Sequence, residues 1–220
     1  MAKAKKQKFV SPAGEAVYPY LNKPDSADIN GQPQTPAFKC RLRLGAESAE
    51  GIKLRGIIDG LVDAAWDERF EDLAPKYKKV AEKVYPYEEE LDDAGEPTGT
   101  LLFNFKQNAS LKLKSGEIVN VKIDLFDATK KRITSNVGGG SIVKIAFTHR
   151  TYGMVSGKQF NIGISLDFTG VQVLELVEFG GGSADGYGFG EEDDYDGVDD
   201  APVDNDDDTA GTEDGEDDDF

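Results

Sequence analysis

The stretch FKCRLRL, residues 38–44, decides the fold class. Its apolar side chains alternate with basic ones, which is the period of a β-strand with one face in a core and the other in solvent. The strand therefore places three cations in a row on one surface: Lys39, Arg41 and Arg43.

The residues on either side of this strand predict other kinds of structure. Upstream, FVSPAGEAVYPYLNKPD (residues 9–25) and its proline-bearing continuation to Pro36 indicate an extended, turn-rich entry segment. Downstream, apolar residues recur at helical spacing, with Ser48 as a cap and Pro75 marking the end of the helix. We interpret Trp66 as a packed helix residue rather than a base-stacking platform. The segment from Pro75 to Gly99 is expected to be irregular.

The rest of the body predicts strand after strand, because β-branched and aromatic residues alternate between turn residues. The strands are LLFNFKQNASLKLK (101–114), IVNVKIDLFD (118–127), SIVKIAFTHRTYGM (141–154), QFNIGISLDF (159–168) and VQVLELVEF (171–179). The pattern favours a mainly β fold, an OB-fold (five-stranded Greek-key barrel) with an inserted helix after the first strand. Periodicity alone leaves a β-sandwich open.

Charge divides the chain into a body and an acidic tail. The net charge is −17, but residues 183–220 contain 18 acidic residues and no lysine or arginine, so 24 acidic and 25 basic residues remain in 1–182. Blocks of like charge with little apolar content resist compaction. We therefore expect a flexible basic arm over 1–10, a folded domain over 11–182 and a disordered acidic tail over 183–220.

Enzymatic and metal-binding functions find little support in the sequence. Cys40 is the only cysteine and His149 the only histidine. We expect Cys40 to be a small buried hydrophobe and His149 a packing or surface residue, with no metal and no cofactor. Neither VGGGSIVKI nor GYGFG completes a phosphate-binding glycine motif. The N-terminus lacks a signal sequence and no stretch predicts a membrane span, so a cytoplasmic location is expected.

Cations and aromatic residues on the predicted strands indicate binding of single-stranded nucleic acid. A cationic groove interleaved with rings binds single strands without sequence preference. An ordinary solvated barrel surface is the alternative. Tyr152 is the ring most expected to be exposed, and Tyr18 and Tyr20 are further possibilities. The predicted binding residues are Arg41, Arg43, Phe105, Lys106, Lys112, Lys122, Lys144, Arg150 and Tyr152.

Several pieces, in this order, carry a resemblance to a known family. They are FVSPAGEAVYPYLNKPD, FKCRLRL before a helix, FNFKQNASLK, KKRITSNVGGGSIVKI, GISLDFTGVQVLELVEFGGG and an acidic tail that closes on a phenylalanine. Together they resemble the single-stranded DNA-binding proteins of short-tailed bacteriophages of the T7 group. In one place the chain departs from that family, because Gly153 and Met154 stand where a further aromatic residue is expected.

The resemblance implies an oligonucleotide-binding barrel with a basic and aromatic cleft, a homodimer and a role in annealing complementary strands. It also implies that the tail contacts the phage DNA polymerase and the helicase-primase, through Asp217, Asp218, Asp219 and Phe220. We hypothesise that the tail occupies the cleft until single-stranded DNA displaces it. A rival reading is an acidic nucleic-acid mimic that binds a DNA-binding protein rather than DNA.

Overall fold

The strand predicted from FKCRLRL lies at the centre of the fold. The computed structural model describes residues 7–27, 30–113 and 115–178. In it, Pro33–Gly45 forms a strand whose apolar side chains Phe38, Cys40, Leu42 and Leu44 are all buried. The predicted alternation is therefore confirmed, and Lys39, Arg41 and Arg43 point to the outer face.

The described residues form eleven strands and two helices. In chain order they are β1 (Phe9–Val10), β2 (Gly14–Ala27), β3 (Pro33–Gly45), α1 (Ala49–Phe70), α2 (Pro75–Lys78), β4 (Ala81–Val84), β5 (Tyr87–Leu91), β6 (Pro97–Asn108), β7 (Ser110–Lys112), β8 (Ile118–Asn120), β9 (Asp124–Phe126), β10 (Ile142–Ser156) and β11 (Gln159–Glu175). Within these residues no helix has the length and apolarity of a membrane span.

Five of the strands close into a barrel. β2 pairs with β3 and β3 with β6, both antiparallel. β6 joins β11 through the parallel bridge between Phe105 and Leu166. β11 pairs with β10 over most of its length, and β10 returns to β2 at Ile142 and Val143. The circuit confirms the predicted five-stranded barrel and excludes the β-sandwich.

The N-terminal segment is a barrel strand rather than the turn-rich entrance that its prolines suggested. β2 runs for 14 residues, but its register against β3 shifts between Val17 and Tyr20. Tyr18 has a φ of 47° at this shift. The bulge breaks the two-residue period on which strand prediction depends. Because β2 is a barrel strand, α1 follows the second strand of the barrel, whereas the sequence predicted it after the first.

Helix α1 packs along the barrel through its apolar face. Ser48 is the N-cap, and its hydroxyl accepts a hydrogen bond from the Gly51 amide, as predicted. The helix buries Leu54, Ile58, Val62 and Ala65. It ends at Phe70, five residues earlier than Pro75, which instead begins α2. The half-buried Trp66 ring stacks on Phe70 at 4.7 Å, in keeping with its interpretation as a packed residue.

The segment expected to be irregular contributes two strands. β4 pairs in parallel with β11, and β5 pairs antiparallel with β6. Tyr87 of β5 packs against Phe103 and donates a hydrogen bond from its hydroxyl to Asp59. The sequence of β5, YEEEL, hides this strand because its glutamates resemble those of an acidic loop.

Two other boundaries differ from the sequence prediction. The stretch 101–114 is divided, because β6 ends at Asn108 and β7 pairs with β8 in a separate two-stranded sheet. Conversely, the two last predicted strands form the single strand β11, continuous through Thr169 and Gly170. The buried side chains of the barrel form one core, in which the largest are Phe103, Phe105, Phe147 and Phe168.

Candidate nucleic-acid interface

Strand registers bring several predicted residues into one row across the outer face of the barrel. Tyr20 pairs with Lys39, and Lys39 pairs with Lys106. The bridge between Phe105 and Leu166 then sets Asp167 beside Lys106, and Arg150 pairs with Ser165 on the next strand. We call Tyr20, Lys39, Lys106, Ser165, Asp167 and Arg150 the cross-strand row. It crosses all five strands of the barrel.

Arg150 is held in position by one hydrogen bond, and its other N–H groups donate to no side chain or backbone group of the described residues. Its Nε donates to Oδ2 of Asp167, a carboxylate that is 6% exposed, and this bond raises the pKa of the guanidinium. The Arg150 side chain is 52% exposed. Because a guanidinium has five N–H donors, the bond to Asp167 orients it while others remain for a phosphate.

Tyr152 lies next to Arg150 but is only partly exposed. It pairs with Gly163, and a Cβ at that glycine would lie 2.9 Å from the tyrosine hydroxyl and 3.1 Å from Cζ. The missing side chain therefore lets the ring rest on β11, and burial raises the pKa of the phenol. Tyr152 is thus less exposed than the sequence led us to expect.

The most exposed rings of the face are on β2, beside a groove. Tyr18 is 75% exposed and Tyr20 46% exposed. Both line a groove of ≈ 780 Å³ together with Lys23, Arg43 and Asn136. The left-handed backbone of Tyr18 is unusual for a residue other than glycine, and such strain is concentrated at functional sites.

The hydrogen bonds and ion pairs around the groove distinguish the fixed side chains from the accessible ones. The Asn22 side chain bridges β2 to the loop that precedes β10, since its amide donates to the Ser135 carbonyl and its carbonyl accepts from the Val137 amide. Lys23 and Lys106 are exposed and form no ion pair with any described residue. The groove therefore combines two exposed rings with the cation of Lys23, while Lys106 lies outside the groove, in the cross-strand row.

Phe105 does not belong to this surface, so its prediction as a binding residue is wrong. Its ring is 2% exposed and packs edge-on against Phe147 at 5.3 Å. Side chains of neighbouring strand residues point to opposite faces. Because Lys106 is on the outer face, Phe105 must be in the core.

Three of the predicted lysines lie away from the cross-strand row. Lys112 is on β7, in the separate two-stranded sheet, and Lys122 follows β8. Lys144 lies six residues before Arg150 on β10, about 20 Å of strand. It lines a second cavity, of ≈ 620 Å³, with Lys53 and Glu50 at the start of α1. The structure does not bring these lysines together with the row.

Arg41 and Arg43 are on the outer face, but each is bound by carboxylates. Glu88 Oε1 lies 3.1 Å from Nη1 of Arg41. Glu90 accepts hydrogen bonds from Nε and Nη2 of Arg43 at 2.8 and 2.5 Å, and Glu15 accepts one from Nη1 at 2.8 Å. These bonds raise the pKa of Arg43, while Arg43 and then Thr100 lower that of Glu90.

Cys40 and His149, for which no chemical role was predicted, are buried and half-buried, respectively. Cys40 is buried, which raises the pKa of its thiol to about 12. The half-buried His149 ring lies 6.3 Å from the ring of Phe9. The tail residues Asp217, Asp218, Asp219 and Phe220 lie outside the described residues.

A closed five-stranded barrel with exposed rings, unpaired cations and a groove on its outer face defines the class of oligonucleotide-binding barrels. Residues 13–176 match the sequence model of a family described as "Single-stranded DNA-binding protein, Bacteriophage T7". Since this match covers most of the chain, the chain belongs to that family, as its resemblance predicted.

Two curated relatives carry the same description. The chain is 29% identical over 198 residues to the single-stranded DNA-binding protein of Enterobacteria phage T3, a match that covers 84% of this chain and 83% of that protein. It is 26% identical over 190 residues to the single-stranded DNA-binding protein of Escherichia phage T7, covering 82% of this chain and 81% of that protein. Neither match is to an enzyme.

Solved structures share the fold. The crystal structure of gp2.5, a single-stranded DNA-binding protein encoded by bacteriophage T7, has a TM-score of 0.64 and 24% identity, and the match covers 87% of this chain and 98% of that one. The single-stranded DNA-binding protein of bacteriophage Enc34, solved in complex with single-stranded DNA, has a TM-score of 0.50 and 14% identity, with 79% and 89% covered. At these identities the likeness supports the barrel alone.

Proposed function

We propose that this protein binds single-stranded DNA without sequence preference during phage DNA replication, recombination and repair. The observation that carries the proposal is the position of Tyr18 and Tyr20 on the same face as Lys23 and Lys106, two exposed lysines that form no ion pair with any described residue. The rings stack on unpaired bases, and Lys23, Lys106 and Arg150 bind the phosphates. Its family membership and the DNA named for its relatives support the same ligand.

The acidic segment 183–220 has a separate role in this proposal. Its 18 carboxylates compete with DNA for the cationic face, and its end, from Asp217 to Phe220, recruits the phage DNA polymerase and the helicase-primase. The apolar ring of Phe220 adds a contact that screened charge alone does not specify. The protein acts as a homodimer in the cytoplasm of the infected host and promotes annealing of complementary strands.

The affinity for a labelled single strand, measured across a salt series, tests DNA binding and tail competition together. The full chain is compared with a chain that ends at Gly182. We expect the shorter chain to bind more tightly, and the logarithm of affinity to fall with log salt by about 0.7 per phosphate neutralised. If neither chain binds above the level of an unrelated acidic protein, DNA binding is excluded and the nucleic-acid mimic takes its place.

Recruitment is tested separately with Phe220→Ala. We expect this variant to capture less polymerase and helicase-primase in a pull-down, with an unchanged affinity for DNA, because the ring contacts protein and not the cleft. Capture at the level of the unaltered chain would contradict the role of Phe220.

A further inference from the structure

Strand β5 places three consecutive glutamates beside the barrel, and two of them bind arginines. Glu88 pairs with Arg41, and Glu90 with Arg43. Successive side chains of a strand alternate between its faces. Glu89 is accordingly on the other side of β5, where it is exposed and forms no ion pair with any described residue. The acidic strand therefore has one face directed at the arginines and one directed away from them.

The pair of Arg43 and Glu90 has the geometry in which arginine binds phosphate. Two side-by-side N–H donors meet the two oxygens of one carboxylate, at 2.8 and 2.5 Å. This fork is the arrangement that arginine uses for phosphate groups as well. Glu15 takes a third donor at 2.8 Å. Carboxylates thus occupy the donors that a phosphate would need.

The position of Arg43 makes this occupation relevant to DNA. Arg43 and Glu15 both line the groove that contains Tyr18 and Tyr20. On β3, Arg41 and Arg43 continue the line of cations that begins with Lys39. Without the glutamates, Arg43 in the groove and Arg41 beside it on β3 would both be available to phosphates.

We propose that Glu88 and Glu90, with Glu15, limit the affinity for single-stranded DNA, because their carboxylates bind Arg41 and Arg43 in place of phosphate. The inference rests on the proposed function. Because a phosphate must displace a carboxylate already bound, the exchange gains little, and the strand of DNA is confined to the groove and the cross-strand row. These competing carboxylates are on folded strands, so they act whether or not the acidic segment 183–220 is present.

The test uses the full chain, a labelled oligothymidylate and a salt series. We expect E88Q/E90Q to bind about tenfold more tightly at low salt, the scale of one added charge-assisted hydrogen bond. Its salt dependence should steepen by about 0.7 for each phosphate newly bound. E89Q is the matched control, because it removes one charge from the same strand but frees no arginine, and we expect its affinity to stay within about twofold of the unaltered chain.

A double-mutant cycle identifies the arginine. We expect R43A to lower the affinity of the E88Q/E90Q chain much more than that of the unaltered chain, and so to remove most of the gain. Unchanged affinity and salt slope in E88Q/E90Q would overturn the inference, as would a gain of equal size in E89Q. A full chain that binds no oligothymidylate at all would overturn the proposed function instead.

A milder variant covers the case in which E88Q/E90Q does not fold. E88Q alone disrupts a pair whose side chains are 44% and 53% exposed, so the barrel should tolerate it. We expect a smaller rise in affinity that R41A cancels. No rise in a folded E88Q, verified by circular dichroism, would count against the inference.

Discussion

The outer face of the barrel has two halves that carry similar cations in different states. In the capped half, Arg41 and Arg43 are bound by Glu15, Glu88 and Glu90. In the open half, Tyr18, Tyr20, Lys23 and Lys106 are exposed. Two other cations of this half, Lys39 and Arg150, are each held by one carboxylate, from Asp25 and Asp167. The basic residues of a strand therefore do not define a binding surface until the carboxylates of the neighbouring strands are known.

The largest expected effect concerns the inner side of the open half. Phe105 lies directly behind Lys106, in the core, where it contacts Phe147. Truncation of a buried phenylalanine costs about 3–5 kcal/mol in the free energy of unfolding. We expect Phe105→Ala to lower the denaturation midpoint accordingly, while the folded fraction keeps its affinity for single strands. Loss of affinity without loss of stability would contradict the assignment of Phe105 to the core and indicate that it contacts DNA.

The next effect concerns the rings of the open half. Stacking contributes about 1–3 kcal/mol per base, so we expect Tyr18→Ala and Tyr20→Ala each to weaken single-strand binding by about fivefold to 150-fold. Fluorescence anisotropy with a labelled oligonucleotide measures the loss. Tyr85→Ala is the control, because Tyr85 is exposed but is not among the groove residues. A loss of affinity in Tyr85→Ala as large as that in the groove variants would show that DNA binding is not confined to the open half.

A smaller effect compares cations across the two halves directly. We expect Lys106→Ala and Arg150→Ala each to reduce the slope of log affinity against log salt by about 0.7, and Arg41→Ala to leave it unchanged. The reason is that Arg41 is already paired with Glu88, while Lys106 forms no ion pair with any described residue. If the three variants lost the same slope, DNA would bind both halves alike.

The smallest effect is a pH dependence of stability in the capped half. Hydrogen bonds from Arg43 and Thr100 lower the pKa of Glu90 below its ordinary value of 4.5. The stabilisation is therefore present above that value and is lost as the pH falls through the lower, folded-state pKa. We expect the melting temperature to fall less steeply below about pH 4.5 in E90Q than in the unaltered chain or in E89Q. Identical profiles in all three would show that the pair contributes nothing to stability.

Local patterns were sufficient to predict most of the fold. The alternation in residues 38–44, the helical spacing after Ser48 and the apolar runs beyond residue 100 all correspond to observed elements. β2 and β5 escaped prediction for different reasons. In β2 the bulge at Tyr18 breaks the alternation. In β5 the glutamates lack the alternation typical of a strand and are held in one by antiparallel pairing with β6, the next strand along the chain.

The binding surface was less predictable because it depends on strand neighbours. The sequence identified Arg150 and Lys106 as outward cations, and their register sets them in one row. It could not indicate that Glu88 lies against Arg41, which is 47 residues away. Phe105 was misassigned by a local error, since its alternation with Lys106 already excluded a shared face. The sequence named Tyr18 and Tyr20 only as further possibilities after Tyr152, yet they are the most exposed rings of the face.

Photocrosslinking of a substituted single strand to the full chain, with the attachment sites located by mass spectrometry, tests the central claim most directly. If DNA binds the open half, crosslinks will be found on Tyr18, Tyr20 and the segment from Arg150 to Tyr152. Crosslinks confined to the β7–β8 sheet around Lys112, or to the cavity beside Lys144, would contradict it and place the DNA on another side of the barrel.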